Sequence, residues 1–465
     1  MQYISTRGDS PAIGFLDAVL AGLAPDGGLY SPAEWPSFTP GEIAAFAGRP
    51  YAQVAAAVLA KFAGEAIPRA EIERMTAEAY AGFDHAAVTP LKQLDSGLWL
   101  LELFHGPTLA FKDVAMQLLA RLYEHALAAK KRTMTIVCAT SGDTGGAAVE
   151  ALRGRSNVRV VVLFPDGRIS EVQRRFMTTA ADDNVRCLAV DGTFDDCQSI
   201  VKGLFQAQGF REAVDLSGVN SINWARIAAQ VVYYFTAAAA LGAPARPIAF
   251  AVPTGNFGDA FAGYAAHRMG LPIERLILAT NGNDILARAV NDGRYARGQV
   301  LATQSPAMDI QIASNFERLY FEAVERQGLE TARAMRAFAE IGGIDIPPKA
   351  LATIRELFSG AGISETDTAK TILSTLNETG ELIDPHTAVG VAAARRIGPK
   401  NATTPLVVLS TAHPAKFPEA VQAACGRAPA VPGAAKALAG KPERIDRIAA
   451  DAEAVKAYVR SFAGV

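Results

Sequence analysis

The sequence predicts an α/β protein built on parallel sheet that helices cover on both faces. From Leu98 onward, short runs of β-branched and apolar residues alternate with longer helical stretches, which is typical of buried parallel strands joined by crossover helices. Roughly the first eighty residues are alanine-rich and have helical spacing. The chain of 465 residues is too long for one ordinary hydrophobic core, so we expect two or three domains.

The composition is that of a well-packed globular protein. Hydrophobic residues make up 50% of the chain, charged residues make up 20%, and the formal net charge is -2. This balance gives no reason to expect nucleic acid or an anionic membrane as the main partner. The cysteines form no C-x-x-C pair and no zinc-like spacing, so we expect buried or incidental thiols in a reducing compartment. They are Cys138, Cys187, Cys197 and Cys425.

One uncharged stretch, residues 227–243, is long enough to need comparison with a membrane span. It is slightly short for a span, is largely alanine and contains Gln230 and Thr236, so we expect a buried core helix. The N-terminal residues have neither a signal-peptide pattern nor transit-peptide character. We therefore expect a cytoplasmic protein without membrane association.

The predicted strands are short apolar runs separated by helical stretches. They comprise residues 98–104, 133–140, 158–164, 184–190, 248–254 and 405–411. Because ligands bind beyond the carboxyl ends of parallel strands, each strand end is a candidate position for chemistry. An Ala/Pro/Gly-rich stretch, residues 428–440, predicts a linker to a last helix.

The first strand leads to a helix that we expect to begin near Ala110, with Lys112 in its first turn. A lysine there opposes the positive end of the helix dipole, so helix stability does not explain it. Lys112 is compatible with a solvated surface lysine. It is also compatible with a Schiff-base nucleophile, which requires partial desolvation and a carbonyl partner.

Two further strand ends lead into glycine-rich turns at helix N-termini. The Ser-Gly-Asp-Thr-Gly turn, residues 141–145, offers amides and hydroxyls to an anion. The pattern is equally compatible with Asp143 or Thr144 as a helix cap. In the turn at 254–259, Gly255 and Gly258 suit close backbone approach to a phosphate. Neither turn is G-x-G-x-x-G or ends in G-K-[ST], which excludes the dinucleotide and P-loop motifs.

Together these segments closely resemble the threonine synthases of bacterial and fungal type, which are pyridoxal-phosphate enzymes. The blocks that carry the resemblance follow one another along nearly the whole chain: YISTRGDSP, APDGGLYSP, FHGPTLAFKD, ATSGDTGGAA, NSINWARI, PTGNFGD and TAHPAKF. The resemblance implies the tryptophan-synthase-β-like fold (fold type II), with two doubly wound α/β lobes and a helical N-terminal region. It also implies an N-terminal region at 1–85, a catalytic core at 86–427, and a linker with a C-terminal helix at 428–465.

The resemblance implies pyridoxal 5′-phosphate as the cofactor, carried as a Schiff base on Lys112. The hydroxyl of Thr411, or alternatively that of Ser410, would bond the pyridine nitrogen, and a neutral partner there does not keep the nitrogen protonated. Asp143 would lie near the cofactor's 3-oxygen. The cofactor phosphate would bind backbone amides of a turn that Asp259 closes, as a cap or amide-orienting group. That turn consists of Gly255, Asn256, Phe257, Gly258 and Asp259.

The implied activity converts O-phospho-L-homoserine and water to L-threonine and phosphate, by γ-elimination followed by β-addition of water. The amine of Lys112 would carry the protons, which suits a group whose pKa falls readily on desolvation. The leaving phosphate needs a cation, for which Lys416 is the first candidate and Arg226 the second; either is also compatible with an ordinary ion-pair role. The substrate carboxylate would bind Ser141, Gly142 and Thr144.

Two other functions are compatible with parts of this pattern. A related lyase on the same scaffold would share the first steps but release a 2-oxoacid and ammonia. A non-catalytic binding protein would be expected to have lost the lysine or the phosphate turn, and both are present. His105 and His413 lie beside the site blocks, and we expect structural roles for them. The sequence has no metal-ligand cluster, so we expect no catalytic metal and a small molecule as the partner.

Overall fold

The computed structural model describes the whole chain, Met1–Val465. Two mainly parallel sheets form the centres of two α/β lobes, and all six predicted strand regions contribute to them. The inner strands are nearly continuous apolar runs because helices cover both faces. In the strand Ile248–Pro253, for example, every residue is buried.

The larger sheet has six strands. They are β4 (Leu91–Gln93), β5 (Leu98–Glu102), β10 (Ile248–Pro253), β11 (Ile273–Thr280), β14 (Phe358–Gly362) and β15 (Leu406–Ser410). Across the sheet the order is β14-β11-β10-β15-β5-β4. All neighbours are parallel except the edge strand β4, which pairs with β5 in antiparallel register.

The smaller sheet has five strands, all parallel. They are β6 (Met134–Ala139), β7 (Val158–Pro165), β8 (Val185–Asp191), β9 (Leu216–Ser217) and β16 (Asp446–Ala449). Their order is β16-β8-β7-β6-β9. The edge strand β16 follows the Ala/Pro/Gly-rich stretch, so the chain after residue 440 adds a strand to this lobe before the last helix.

Five strands of these sheets were not predicted: the three-residue edge strand β4, and four strands that are short or that contain charged residues or glycine, namely β9, β11, β14 and β16. β11 has the half-buried Glu274 and Arg275 near its start, and β14 contains Gly360 and Gly362. β9 has only two residues. β16 is largely exposed, with the sequence DRIA. Their pairing partners, rather than their own composition, make these segments strands.

The N-terminal region is helical, as predicted, but it also contains a small antiparallel sheet that was not predicted. Its strands β1 (Gln2–Ser5), β2 (Ile13–Gly14) and β3 (Tyr30–Pro32) have two to four residues each. Strands this short are below the length at which alternation is recognisable. The helices of this region are α1 (Phe15–Ala21), α2 (Pro40–Ala44), α3 (Tyr51–Ala63) and α4 (Arg69–Tyr80).

The uncharged stretch at 227–243 forms most of the buried helix α10 (Trp224–Ala240), as predicted. α10 packs against α3 of the N-terminal region and against α5, and its side chains belong to an apolar core shared with both lobes. No helix is long and apolar enough to cross a membrane. The first helices of the lobes are α5 (Lys112–Lys130), α6 (Asp143–Leu152), α7 (Glu171–Thr178), α8 (Phe194–Gln206) and α9 (Gln208–Ala213).

The remaining elements complete the two lobes and their connections. A two-stranded antiparallel ribbon is formed by β12 (Arg294–Ala296) and β13 (Gly343–Asp345). The later helices are α11 (Gly258–Arg268), α12 (Ile285–Asp292), α13 (Phe316–Ala323), α14 (Gly328–Ile341), α15 (Pro348–Leu357), α16 (Glu365–Thr379), α17 (Pro385–Ile397), α18 (Pro418–Cys425), α19 (Gly433–Lys436) and α20 (Ala452–Ala463).

Candidate active site

The carboxyl ends of strands from both sheets bring the predicted site residues together. β10 and β15 are parallel neighbours, so Thr254 and Thr411, which follow them, lie at one edge of the larger sheet. The turn at 141–145 follows β6 in the smaller sheet. Helix α5 begins at Lys112, and the Phe111 amide just before it donates to the Thr411 carbonyl at 2.8 Å. The site therefore lies between the lobes.

The Lys112 side chain is buried between an aromatic ring and a carboxylate. The side chain is 11% exposed, and its Nζ lies 4.7 Å from the centroid of the Phe111 ring and 3.5 Å from Asp143 Oδ2. Burial lowers the pKa of Lys112; the Asp143 carboxylate opposes this shift, and Lys416 and Arg226 add to it. Lys112 is therefore not a solvated surface lysine. Its amine loses its proton readily, as a carbonyl-attacking nucleophile must.

Asp143 is paired with a second buried lysine. Its Oδ1 lies 2.8 Å from Lys416 Nζ and accepts from Gln173 Nε2 at 3.0 Å. Burial alone raises the pKa of Asp143, but Lys416 and Lys112 reverse that effect and hold the pKa well below its usual range. The N-cap of α6 is Gly142, and no side chain caps the helix. Asp143 therefore forms ion pairs with Lys112 and Lys416 and does not cap the helix.

The turn at 141–145 leaves backbone amides free. The amides of Gly142 and Gly145 both donate to Thr140 Oγ1 at 2.9 Å, whereas those of Ser141, Asp143 and Thr144 have no carbonyl acceptor. Gly142 has a φ of 134°, and a Cβ there would lie 2.5 Å from the Gln173 side chain. Free N–H groups at a helix N-terminus are suited to a carboxylate or phosphate.

The turn at 254–259 has the same property in the other lobe. None of its N–H groups from Gly255 through Asp259 has a carbonyl acceptor. Phe257 adopts a left-handed conformation, with φ of 63° and ψ of 1°, and precedes α11. A Cβ at Gly255 would lie 3.0 Å from the Ala307 carbonyl oxygen, so only glycine fits without displacement of that loop. The result is a concave set of donors at a helix N-terminus.

The Asp259 carboxylate faces away from these amides and toward α10. Its Oδ1 accepts hydrogen bonds from the hydroxyls of Tyr233 and Tyr234, the latter at 3.1 Å. Burial raises the pKa of Asp259 to about 6 in spite of those hydrogen bonds. Because the Asp259 carboxyl group is directed to the two tyrosines and not to the amides, it is compatible with a phosphate dianion bound at the turn.

The two hydroxyls at the end of β15 differ in their surroundings. Ser410 Oγ is bonded to Thr387 Oγ1 at 3.0 Å, and Thr387 in turn donates to Asp384. The Thr411 side chain is buried but has no hydrogen-bond partner within the protein. Between the two alternatives, Thr411 is therefore the hydroxyl that is free to bond a ligand.

Arg226, in the first turn of α10, is a buried cation without a carboxylate partner. Its Nη1 donates to the Val219 carbonyl at 3.0 Å, and its Nε is buried with no acceptor. Burial lowers the pKa of Arg226 to about 10. The guanidinium is a donor without a matching anion, which is a costly arrangement in the absence of a ligand.

Sequence reasoning missed several polar residues that complete the site. Asn256 Nδ2 donates to Ser221 Oγ, and Asn315 Nδ2 donates to the Asn256 carbonyl at 3.1 Å. Ser221 was quoted within a motif block but not selected. Asn315 and Gln173 follow no predicted strand, so nothing in their local sequence distinguishes them.

The two histidines beside the site have polar and aromatic neighbours. His105 Nδ1 lies 2.7 Å from Asp84 and its Nε2 lies 2.8 Å from Glu102, and these contacts raise the pKa of His105 against the effect of burial. The His413 ring accepts from the Ala415 amide at 3.1 Å and packs edge-on against Phe104. No group of three or more His, Cys, Asp or Glu side chains is arranged to hold a metal.

Comparison with known proteins decides the family. Residues 2–80 match the model for the threonine synthase N terminus, 83–360 the model for pyridoxal-phosphate-dependent enzymes, and 387–459 the model for the threonine synthase C-terminal part. A threonine synthase from Pseudomonas aeruginosa is 49% identical over 460 residues, covering 99% of this chain and 98% of the relative. The chain belongs to the threonine synthase family. Its activity and its pyridoxal 5′-phosphate cofactor are those of this family, as predicted.

Solved threonine synthases have the same fold. A pyridoxal-phosphate-bound threonine synthase from Brucella melitensis is 54% identical and superimposes with a TM-score of 0.97, covering 100% of both chains. The yeast threonine synthase is 38% identical with a TM-score of 0.94, covering 100% of this chain and 99% of that one. The predicted tryptophan-synthase-β-like fold is therefore confirmed.

The residues of the site fit the cofactor. Pyridoxal phosphate requires an amine for its aldehyde, donors for its phosphate and a partner for its ring nitrogen. This chain offers a desolvated amine at Lys112, free amides from Gly255 through Asp259, and a free hydroxyl at Thr411.

Proposed function

We propose that the chain converts O-phospho-L-homoserine and water to L-threonine and phosphate, with Lys112 as its catalytic residue. The observation that carries the proposal is the position of Lys112: a buried amine between two turns with free amides, one from each lobe. One turn suits the cofactor phosphate and the other suits a substrate carboxylate. Such an arrangement places an amino acid and the cofactor on either side of a single proton carrier.

We assign the cofactor contacts to the turn at 254–259, to Thr411 and to Asp143. The phosphate would bind the amides of Gly255, Asn256, Phe257 and Gly258. Asp259 would fix the turn against α10 through its hydrogen bonds with two tyrosines of that helix. When bound, the cofactor withdraws electron density from the substrate carbons that lose protons. The hydroxyl of Thr411 would orient the ring without adding a charge.

The substrate carboxylate would bind the turn at 141–145, through the free amides of Ser141 and Thr144 and the close backbone approach that Gly142 allows. Asp143 keeps its charge there because two lysines face it. That charge would help to hold the amino end of the substrate and to stabilise the Lys112 amine while it carries a proton.

We reverse the predicted order of the two cationic candidates for the substrate phosphate, in which Lys416 came first. The charge of Lys416 is balanced by Asp143, and its Nζ also donates to the Thr108 carbonyl at 2.7 Å. Arg226 is buried without a counter-ion and has an unused donor. The electrostatics therefore favour Arg226 for the phosphate, together with Ser221 and Asn256, and give Lys416 the role of holding Asp143.

Product analysis tests the proposed function. The holoenzyme with O-phospho-L-homoserine should release threonine and inorganic phosphate in equal amounts. Release of 2-oxobutanoate and ammonia instead would identify a related lyase, since the two reactions differ only in the fate of the unsaturated product of elimination. Failure to release phosphate at all would contradict both.

We expect Thr411→Val to retain the cofactor but to change its absorption spectrum and to slow turnover. One neutral hydrogen bond contributes about 0.5–1.5 kcal/mol, which corresponds to roughly a twofold to tenfold loss in kcat. The matched control is Ser410→Ala, because the Ser410 hydroxyl is already bonded to Thr387 and its loss should leave the spectrum unchanged. Complete loss of the cofactor from Thr411→Val would show that Thr411 has a different role.

We expect Lys416→Met to impair every reaction of the enzyme and to destabilise the fold. Removal of Lys416 leaves the buried Asp143 carboxylate with a more distant cation at 3.5 Å, and breaking a buried pair costs about 3–5 kcal/mol. Activity toward O-phospho-L-homoserine and deamination of L-serine should fall together. A loss confined to the phosphorylated substrate would assign Lys416 to the substrate phosphate instead.

The stability difference between Lys416→Met and the wild type should depend on pH. The folded-state pKa of Asp143 is depressed, so its pairing stabilises the fold fully above the unfolded-state pKa of about 3.9. That contribution is lost as the pH falls further. Chemical denaturation of the apoenzyme should therefore show the full difference at neutral pH and a smaller one in acid. A difference independent of pH would contradict the ion pair.

A further inference from the structure

Arg318, in the first turn of α13, is a second buried cation without a carboxylate partner. Its side chain is 0% exposed, and it forms three hydrogen bonds, all to neutral oxygens. Nε donates to the Tyr30 carbonyl at 3.0 Å, Nη2 donates to the Ile222 carbonyl at 2.6 Å, and Nη1 donates to Asn315 Oδ1. The neighbouring carboxylate, Glu317, is bonded elsewhere, to Thr6 and Arg7.

Through Asn315, Arg318 acts on a polar cluster beside the turn at 254–259. The cluster consists of Ser221, Asn256 and Arg226. Because Arg318 occupies the Asn315 oxygen, the NH₂ group of Asn315 must face the other way. It donates to the Asn256 carbonyl at 3.1 Å and to the Ser221 carbonyl at 3.3 Å. Asn256 is held further by the Ser314 amide, which donates to its Oδ1 at 2.6 Å. The orientation of the Asn256 amide toward Ser221 is thus fixed from two sides.

Arg318 and Arg226 bind the same loop, 219–222, at two points. Arg226 donates to its first carbonyl, that of Val219, and Arg318 donates to that of Ile222. Ser221 lies between these contacts. Neither guanidinium has a carboxylate within salt-bridge distance, so both can attract an anion to this part of the site. A buried charge that stabilised nothing but the fold would be replaceable by an apolar side chain.

We propose that Arg318 and Asn315 are positioning residues for the substrate's phosphate group. Arg318 fixes the orientation of the Asn315 amide, and Asn315 in turn holds Ser221 and Asn256 in place beside Arg226. This inference rests on the proposed function, in which the substrate phosphate is the anion that binds this polar cluster. The same guanidinium bonds Tyr30 in β3, so the N-terminal region is a structural part of the phosphate site.

The test compares Asn315→Ala and Arg318→Lys with Arg326→Lys. Arg326 is a matched control because its guanidinium also binds carbonyls at the end of β3 and just beyond it, those of Pro32 and Ala33, but contacts no residue of the cluster. Lysine keeps the charge at either position but cannot bond three acceptors in one plane. The measured quantities are kcat, KM for O-phospho-L-homoserine, the inhibition constant of inorganic phosphate, and the absorption spectrum of the holoenzyme.

In Asn315→Ala and Arg318→Lys, KM and the inhibition constant of inorganic phosphate should both rise by about tenfold to a hundredfold. The kcat value should change by no more than about threefold, since neither side chain contacts Lys112 and Asn315 meets the turn at 254–259 only at the Asn256 carbonyl, not at the amides that would bind the cofactor phosphate. The spectrum should match the wild type. Arg326→Lys should change neither constant by more than about twofold. A merely structural role would lower the yield of folded enzyme without a parallel change in the two constants.

If Asn315→Ala and Arg318→Lys both keep the wild-type KM and the wild-type inhibition constant of inorganic phosphate, the inference is overturned and the proposed function stays intact. An equal rise in Arg326→Lys would overturn it as well, because anchoring of β3 would then suffice. If Arg318→Lys does not fold, Asn315→Ala decides alone. A wild-type enzyme that neither turns over O-phospho-L-homoserine nor is inhibited by phosphate would instead overturn the proposed function.

Discussion

Replacement of Lys112 by alanine should reduce turnover of O-phospho-L-homoserine by at least about a thousandfold, because the variant loses both the covalent link to the cofactor and the proton carrier. The site supplies no substitute. Lys416 is the other buried lysine nearby, and its Nζ is held by Asp143 and by the Thr108 carbonyl. Steady-state assays of phosphate release with saturating cofactor would measure the loss.

Lys130→Ala is the matched control for this experiment. Lys130 ends the same helix and pairs with Asp17 at the surface, so the same change there should leave kcat within about twofold of the wild type. Thermal unfolding of both variants would show whether α5 is intact. A Lys112→Ala enzyme with more than a few per cent of wild-type kcat would contradict the role of Lys112.

Arg226→Gln should produce the second largest effect. We expect a loss of roughly a hundredfold or more in kcat/KM for O-phospho-L-homoserine, because a buried cation that meets a phosphate contributes several kcal/mol. Inorganic phosphate should inhibit the variant far less than the wild type. Deamination of L-serine, which lacks the phosphate, should be much less affected, so that comparison of the two substrates separates phosphate binding from misfolding.

Arg275→Gln provides the matched control for Arg226. Arg275 likewise has a buried Nε without an acceptor and donates to one carbonyl, that of Gly398 at 3.0 Å. It lies near the start of β11, at the opposite end of the sheet from the site. Equal losses with both substrates in Arg226→Gln, or a similar phosphate effect in Arg275→Gln, would remove Arg226 from the phosphate site.

The sequence was sufficient to predict which segments come together at the candidate site, because the main parts of that site are local. Lys112 and the turns at 141–145 and 254–259 each lie at the end of an apolar run or the start of a helix. Parallel strands place such ends at one edge of a sheet. The buried helix at 227–243 was predictable for the same reason, since a long stretch without charged residues indicates burial by itself.

What the sequence did not reveal depends on distant contacts. The pairing of Asp143 with Lys416 joins different motif blocks, and the sequence could not show that this pairing balances the charge of Lys416. Arg226 was only the second candidate for the substrate phosphate because its burial could not be known, and Arg318 was indistinguishable from a surface arginine. Asn315 acquires its role only because Arg318 fixes its amide. Such roles come from tertiary structure and leave no periodic or compositional signal.

Borohydride reduction of the holoenzyme, followed by tryptic digestion and mass mapping, tests directly whether Lys112 carries the cofactor. Reduction makes the link between cofactor and lysine permanent, and a modified Lys112 resists trypsin. We expect a pyridoxyl group on a single peptide, residues 93–121, with an uncleaved site at Lys112. A pyridoxyl group on Lys416 or on any other lysine, with Lys112 unmodified, would contradict the account.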